Sequence, residues 1–252
     1  MTDLSRRKLI QSGLAAATGV ASIGAAAGLA KHYDLIPPDS SGIWGAGETL
    51  NYASYRLVTG KSMAREFARS EISPKPVANE IPPLTDEFKR LQAGGFVDWP
   101  LTVEGMVDRP GKFSLAQLKS YPSRSQITQL ACEEGWSYVA EWTGVPLAQL
   151  LEVAGIHRLA KYVVYFSIDP DWWDSIDMDD ALHPQTYLAY GMNGGDLPVG
   201  NGGPLRMRVP RQLGYKNVKF ITRLVVTDDL RKFGKGLGSA SPEGGYAWYA
   251  GI

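Results

Sequence analysis

Cys132 is the only cysteine in the 252-residue sequence. It ends the alternating run SQITQLAC, which predicts a strand, and it precedes a Glu-Glu-Gly-Trp turn. A thiol at the end of a strand and beside a turn can face a cleft. Four roles are open for it: a buried core residue, an intermolecular disulfide, a nucleophile with His157 or His183 as its base, or a ligand to a soft metal.

A metal bound by this thiol would need most of its ligands from outside the chain. The three histidines, His32, His157 and His183, do not have metal-ligand spacing to one another. There is no second cysteine for an iron–sulfur cluster and no Cys-x-x-Cys-His segment for covalent haem. A metal at Cys132 therefore implies an organic cofactor that supplies the remaining ligands.

A second candidate is the Gly-rich, basic segment NGGPLRMRVPRQLGYKNVK, residues 201–219. Its glycines let backbone N–H groups approach an anion, and Arg206 and Arg208 share one face of a strand-like stretch. Paired guanidinium groups favour a phosphate-like counter-charge, and a solvated basic edge strand is the alternative. The spacing fits neither a Walker loop nor a dinucleotide-binding motif.

Residues 167–186, SIDPDWWDSIDMDDALHPQT, are dense in Asp and Trp. The spacing of the acids is not that of a calcium loop, so we expect them to cap helices and to form turns. Trp172 and Trp173 either line a pocket or pack in the core.

The predicted helices that must position these residues lie between strands at irregular spacing, without a repeated strand–helix order. This favours an α+β fold with mixed short sheets and peripheral helices. Pro146 and Gly155 bound the clearest helix, with Leu147, Leu150, Leu151 and Ala154 on one face. We predict strands in residues 49–58, 125–132, 161–169 and 216–229, and helices in residues 63–70, after Ser114 and in residues 142–156.

The amino terminus has the composition of an export signal. Arg6, Arg7 and Lys8 precede twenty uncharged, Ala- and Gly-rich residues, 11–30, in an order that resembles twin-arginine signals. We predict a signal peptide over residues 1–30, a connector over 31–44 and one domain over 45–252, with a periplasmic location. A retained anchor is the alternative. The 26 acidic and 26 basic residues balance, so we expect no nucleic-acid partner.

The sequence around Cys132, with the later blocks LAYGMNGGDLPVGNGGPLR and VPRQLGYKNVKFI, resembles the sulfite-oxidase-fold molybdopterin enzymes. The likeness begins near residue 95 and is closest to their exported single-domain branch, which includes the catalytic subunit of periplasmic methionine sulfoxide reductase. This resemblance implies Mo-molybdopterin as the cofactor, with the thiolate of Cys132 as a ligand to molybdenum.

The resemblance also assigns residues to the pterin. Those it implies as cofactor-binding are Asn201, Arg206, Asn217, Val218, Lys219, Ser167 and, by a looser match, Tyr55 and Arg56. Where relatives have a Tyr-Glu pair this chain has Tyr55-Arg56, and Asn217 stands where Ser is frequent.

Two departures from the sulfite-oxidising members bear on function. Glu133 and Glu134 follow the cysteine where those enzymes carry an arginine segment, and two carboxylates would repel sulfite. We expect no immunoglobulin-like or haem domain, so electrons would pass to or from a separate membrane haem protein or c-type cytochrome, with the chain a monomer.

The combined prediction is an exported molybdenum oxidoreductase that transfers an oxygen atom, with a sulfoxide or related S- or N-oxide as substrate. The alternatives are a non-catalytic exported binding or assembly factor that keeps the fold, and a sulfite oxidase or dehydrogenase.

Overall fold

The computed structural model describes residues 28, 30–78, 83 and 85–252. The predicted signal peptide thus lies outside the described residues, except for Gly28 and Ala30. Six α-helices lie wholly within the described residues: α1 (Gly45–Thr59), α2 (Asp86–Ala93), α3 (Leu115–Ser120), α4 (Leu147–Ala154), α5 (Met178–Ala181) and α6 (Ala240–Glu243).

The same residues form ten strands. They are β1 (Leu101–Gly105), β2 (Gly111–Phe113), β3 (Arg124–Ala131), β4 (Ser137–Pro146), β5 (Tyr162–Ser167), β6 (Trp173–Asp177), β7 (Tyr187–Met192), β8 (Gly195–Asp196), β9 (Arg206–Arg208) and β10 (Ile221–Thr227).

The strands build two sheets. The first has the order β2-β1-β10-β5-β6, in which β1 and β10 are parallel and the other neighbours are antiparallel. The second has the order β3-β4-β7-β8, with β9 also paired to β7, and is antiparallel throughout. This is the predicted α+β arrangement of short sheets with helices at their periphery.

Helix α4 anchors the main hydrophobic core. Leu147, Leu150, Leu151 and Ala154 are all fully buried, as their helical spacing predicts. Gly155, at φ 73°, ends the helix in the left-handed conformation that a glycine adopts without strain. The helix begins later than predicted, because residues 142–146 belong to β4, which pairs with both β3 and β7.

Two predicted elements are wrong. Residues 49–58 form part of helix α1 and not a strand. Aromatic and branched residues favour strands, but here Tyr52 and Arg56, one helical turn apart, both contact Asp177. Residues 63–70 form no α-helix; Glu66 instead makes an isolated bridge to Thr128 of β3.

The β3–β4 hairpin carries Cys132 at its turn. The Cys132 N–H donates to the Trp136 carbonyl at 2.9 Å, and the Gly135 N–H donates to the Cys132 carbonyl at 3.1 Å. Gly135 has φ 90°, which few side chains tolerate. The thiol is therefore held at the end of a paired strand, as the alternating pattern predicts.

None of the helices in the described part of the chain combines the length and the apolar composition that a membrane span requires.

We expect Leu150→Ala to lower the free energy of unfolding by about 2–5 kcal/mol, because the truncation leaves a cavity in a close-packed core. Leu159→Ala serves as the matched control, since Leu159 is 67% exposed and its truncation should change stability little. Urea unfolding measures both variants, and equal losses would contradict the core position of α4.

Candidate functional site

A cavity of about 760 Å³ opens beside the β3–β4 turn. It is lined by six of the nine residues that the sequence singled out: Cys132, Ser167, Arg206, Asn217, Val218 and Lys219. These residues come from the end of β3, the end of β5, strand β9 and the loop before β10. The fold thus brings together segments that are up to 87 positions apart in the sequence.

The thiol of Cys132 is half-buried and faces two carboxylates. Its Sγ lies 3.3 Å from Oε2 of Glu133 and 3.9 Å from Oε2 of Glu134. Glu134 Oε2 also accepts a hydrogen bond of 2.8 Å from the indole Nε1 of Trp136. The cysteine end of the cavity is consequently acidic.

Burial raises the pKa of the Cys132 thiol, and the carboxylates of Glu133 and Glu134 raise it further, to about 11. Without a cation beside it, the thiol is therefore protonated at neutral pH. A metal ion would supply the positive charge that favours the thiolate.

Arg206 and Arg208 have different roles, although both are buried on β9. Arg206 lines the cavity and donates to the backbone carbonyls of Asn201 and Asn217, at 2.6 and 2.7 Å. Arg208 does not line it, because its guanidinium donates to the Asn217 side chain and to Thr128 and Gln129 of β3. The sequence predicts that the two arginines bind one anion together, but of the two only Arg206 is placed to reach an anion in the cavity.

Trp142 supports both guanidinium groups. The Cζ atoms of Arg206 and Arg208 lie 5.4 and 4.7 Å from its ring centroid, in cation–π geometry. Burial nevertheless lowers the pKa of Arg208 to about 10. Side-chain and backbone oxygens at 2.6–3.0 Å compensate for the loss of water around this cation.

The 3₁₀ helix Gly214–Lys216 packs directly against the cysteine. A Cβ added at Gly214 would lie 3.2 Å from the Cys132 Cα and 3.3 Å from the Ala131 carbonyl oxygen, so a side chain there would crowd the strand end. Lys216 of this turn is fully buried and forms an ion pair with the buried Asp174 of β6. Tyr165 of β5 donates to the Lys216 carbonyl at 2.8 Å.

The basic end of the cavity is formed by Arg206 and Lys219. Gly202 lies against both, because a Cβ there would come within 2.7 Å of Lys219 Cγ and 3.3 Å of Arg206 Cβ. Asn201 is buried behind this loop, where its amide donates to the Val77 carbonyl at 3.0 Å and to the Tyr138 hydroxyl at 3.3 Å. Asn201 therefore shapes the wall and is not itself a lining residue.

Tyr55 and Arg56 do not line the cavity. Tyr55 packs on Tyr249 and Gly251, and the guanidinium of Arg56 forms buried ion pairs with Asp177 and Asp180. These contacts fix α1 to the C-terminal segment and to α5. The structure does not bring Tyr55 and Arg56 to the cavity, because both side chains are engaged by α5 and the C-terminal segment.

Several lining residues were not predicted as cofactor contacts. Trp136 and Tyr138 stack with their ring planes 8° apart, and Tyr215 joins them in the cavity wall. Trp172 lines the cavity while remaining 61% exposed, whereas Trp173 packs against Phe166 and Phe233. The period-two spacing of Trp136, Tyr138 and Trp142 is the sequence signal that could have identified this aromatic face.

None of the three histidines lines this cavity. His157 is exposed and pairs with Asp108, and His183 contacts the Ser62 carbonyl. The described residues also contain no cluster of three or more His, Cys, Asp or Glu side chains that could hold a metal ion. A nucleophilic role for Cys132 thus has no histidine base beside it.

Residues 91–232 match the family described as the oxidoreductase molybdopterin binding domain. This range is more than half of the chain, and it contains every cavity-lining residue except Pro83. The chain belongs to this family. Membership in the molybdopterin-binding oxidoreductases confirms the predicted enzyme class and the Mo-molybdopterin cofactor.

Two curated relatives are similar to this chain. One, from Azospira oryzae and provisionally named a protein-methionine-sulfoxide reductase subunit, is 38% identical over 166 residues, or 66% of this chain and 60% of that one. The protein-methionine-sulfoxide reductase catalytic subunit of Xanthomonas axonopodis pv. citri is 37% identical over 155 residues, or 56% of this chain and 48% of that one. The chain thus spans roughly half of each relative's length.

The crystal structure of the sulfane dehydrogenase SoxCD from Paracoccus pantotrophus has a similar fold. It superposes with a TM-score of 0.50 and 25% sequence identity, over 53% of this chain and 39% of that chain. The predicted molybdopterin-binding fold is confirmed.

The cavity fits the cofactor of this family. The lining combines a soft sulfur ligand with Arg206 and Lys219, whose cationic groups suit the anionic pterin phosphate. Gly202 and Gly214 allow the surrounding segments to pack closely, Gly202 against Lys219 and Arg206 and Gly214 against Cys132. No second protein ligand for a metal is needed, because the pterin dithiolene supplies sulfur atoms of its own.

In cofactor-free protein, we expect iodoacetamide to alkylate Cys132 slowly at pH 8 and faster as the pH rises toward 11. Glu133→Gln combined with Glu134→Gln removes two charges that oppose the thiolate, so the pKa should fall and alkylation at pH 8 should accelerate several-fold. Asp169→Asn, in the same cavity, is the matched control. An unchanged pH–rate profile in the double variant would contradict the carboxylate contribution.

Lys216→Met should lower the free energy of unfolding by about 3–5 kcal/mol, because it leaves the Asp174 carboxylate buried without its cation. The double variant with Asp174→Asn should recover much of this loss, since both charges are then absent. Chemical unfolding measures the stability of the wild-type protein, the single variant and the double variant. The pterin content of each variant shows whether the Gly214–Lys216 turn still supports cofactor binding. A double variant no more stable than Lys216→Met would contradict the pairing.

Proposed function

We propose that the chain reduces a neutral sulfoxide, or a related S- or N-oxide, with Cys132 as the protein ligand to molybdenum. The observation that carries this proposal is the position of the thiol beside two carboxylates, in a cavity that Arg206 and Lys219 also line. When bound, the cofactor supplies the two-electron chemistry of oxygen-atom transfer.

The charges beside Cys132 favour a neutral substrate. Glu133 and Glu134 place two carboxylates within 4 Å of the sulfur, where they would repel sulfite. A sulfoxide carries a dipole and no net charge, so this repulsion is absent. The names of the two relatives, which refer to protein-methionine-sulfoxide reductase, agree with this choice.

The exposed aromatic rim suits a thioether-bearing side chain. Trp172 lies 61% exposed on the cavity wall, and the stacked Trp136 and Tyr138 continue the apolar surface inward. Sulfur contacts aromatic ring edges favourably. These rings would hold the carbon groups of the substrate while its oxygen points toward the cofactor.

The overall reaction consumes two electrons and two protons: the sulfoxide becomes a thioether, and its oxygen leaves as water. Glu133 and Glu134 are the carboxyl groups beside Cys132 and are the residues we assign to proton delivery. The electrons would come from a separate redox protein, a membrane haem protein or a c-type cytochrome. We further propose export through the twin-arginine route to the periplasm, which the residue order Arg6-Arg7-Lys8 before an uncharged segment supports.

We expect Cys132→Ser to lose sulfoxide reduction almost completely while Leu159→Ala, exposed and remote from the cavity, keeps it. Molybdenum-loaded protein with a reduced viologen dye is assayed against methionine sulfoxide, dimethyl sulfoxide, trimethylamine N-oxide and, with an oxidised dye, sulfite.

Turnover of sulfite alone would replace this proposal with a sulfite dehydrogenase. Full cofactor loading without turnover of any substrate would instead indicate a binding or assembly factor. Activity retained in Cys132→Ser would remove the thiolate from the mechanism.

A further inference from the structure

The outward face of α1 is apolar and carries no charged side chain. Leu50, Leu57 and Val58 are 70%, 72% and 82% exposed, and Ile43, just before the helix, is 95% exposed. At 3.6 residues per turn, Leu50, Leu57 and Val58 fall on one stripe of the helix together with Gly47 and Ser54, and Ile43 lies in the turn that precedes the helix. Ser54 is the one polar residue on the stripe.

The charged residues of α1 face the protein instead. Arg56 is buried against Asp177 and Asp180, Glu48 is half-buried, and Tyr52, directly opposite the stripe, donates to Asp177. A helix on the surface of a water-soluble domain normally has the opposite arrangement, with polar residues outward. The stripe therefore requires an apolar neighbour.

Exposed apolar residues are also concentrated in this region. Among the described residues, fourteen large hydrophobic side chains are exposed, and eight of them lie in the short range 33–63. Scattered single residues of this kind are normal, but a concentrated patch marks a contact surface.

Three observations identify a lipid bilayer as the neighbour. The uncharged residues 11–30 end thirteen positions before Ile43, so only the short connector of residues 31–44 separates an apolar segment from α1. The stripe offers almost no hydrogen-bonding groups, which a protein interface would normally contain and a lipid surface does not need. The exposed Trp44 just before α1 and the exposed Lys61 just after it suit the headgroup region of an anionic membrane.

We propose that α1 lies on the membrane surface, with Ile43 and the stripe of Leu50, Leu57 and Val58 inserted at the interface. The domain is then held against the bilayer on the face where α1 docks. This inference is independent of the reaction at the cavity.

Tryptophan fluorescence tests the insertion, because none of the first 43 residues is a tryptophan. The full chain is reconstituted with phosphatidylethanolamine–phosphatidylglycerol vesicles whose acyl chains are brominated, and quenching is compared with unbrominated vesicles. We expect strong quenching in wild-type protein and loss of most of it in Trp44→Phe. Trp172→Phe is the matched control, since Trp172 is 61% exposed at the cavity and should not contact lipid.

A second variant checks the other end of the helix. Leu57→Trp in the Trp44→Phe background should restore quenching, and circular dichroism verifies that each variant folds. Equal quenching in wild-type and Trp44→Phe protein would overturn the proposal.

Two further results would assign the stripe to another neighbour and also overturn the proposal. One is a dimer, seen by sedimentation, that Leu50→Gln with Leu57→Gln dissociates. The other is protection of Trp44 from acrylamide in vesicle-free protein, which would show that another part of the chain covers the stripe.

Discussion

The two guanidinium groups of β9 hold the cavity together through Asn217. Arg206 binds the Asn217 backbone carbonyl, and Arg208 binds its side-chain oxygen, which also accepts the Val209 N–H at 2.8 Å. Arg208 continues to Thr128 and Gln129 of β3, the strand that ends at Cys132. One buried network therefore links the basic wall of the cavity to the strand that carries the thiol.

This network explains why cations are buried at the centre of the domain. A guanidinium removed from water is costly unless its N–H groups find acceptors, and here backbone and side-chain oxygens of the loop and of β3 provide them. The face of Trp142 adds a cation–π contact to each. The arrangement fixes the loop before β10 in position before any cofactor binds, which reduces the entropy lost on binding.

The cavity lining carries charges of both signs. Glu133 and Glu134 lie beside the thiol, and Arg206 and Lys219 contribute cations to the same lining. Burial and the two carboxylates raise the pKa of the free thiol, so occupancy by a metal changes the protonation of Cys132. The same carboxylates would discriminate against anionic substrates. The same two carboxylates thus affect both the protonation of Cys132 and the selection of substrates by charge.

Local patterns located Cys132 and the basic segment, and the family resemblance supplied the other predicted lining residues. Alternation in residues 125–132 predicts the strand that ends at Cys132, and the Gly-rich segment with Arg206 predicts an anion-binding wall. The alternation of side chains along this strand could not by itself separate Arg206 from Arg208, since both lie on the same face of a three-residue strand. Only the neighbouring β3, which supplies acceptors to Arg208, distinguishes them.

Tyr55 and Arg56 show the limit of local patterns more clearly. Their segment contains aromatic and branched residues typical of a strand, yet it folds as α1, because Tyr52 and Arg56 reach the buried carboxylates of Asp177 and Asp180 from one helical face. Those partners are more than 120 positions away in the sequence. No local signal encodes a contact over that separation.

The sequence by itself determined the solitary soft ligand, the two carboxylates that follow it and the basic glycine-rich segment, because these are properties of residue type and short spacing. The tertiary structure decided how the buried Arg208 finds its acceptors, which aromatic residues line the cavity and which face of α1 is left apolar and exposed. Those outcomes depend on packing between segments distant in the chain, where burial and the availability of hydrogen-bond acceptors select one arrangement.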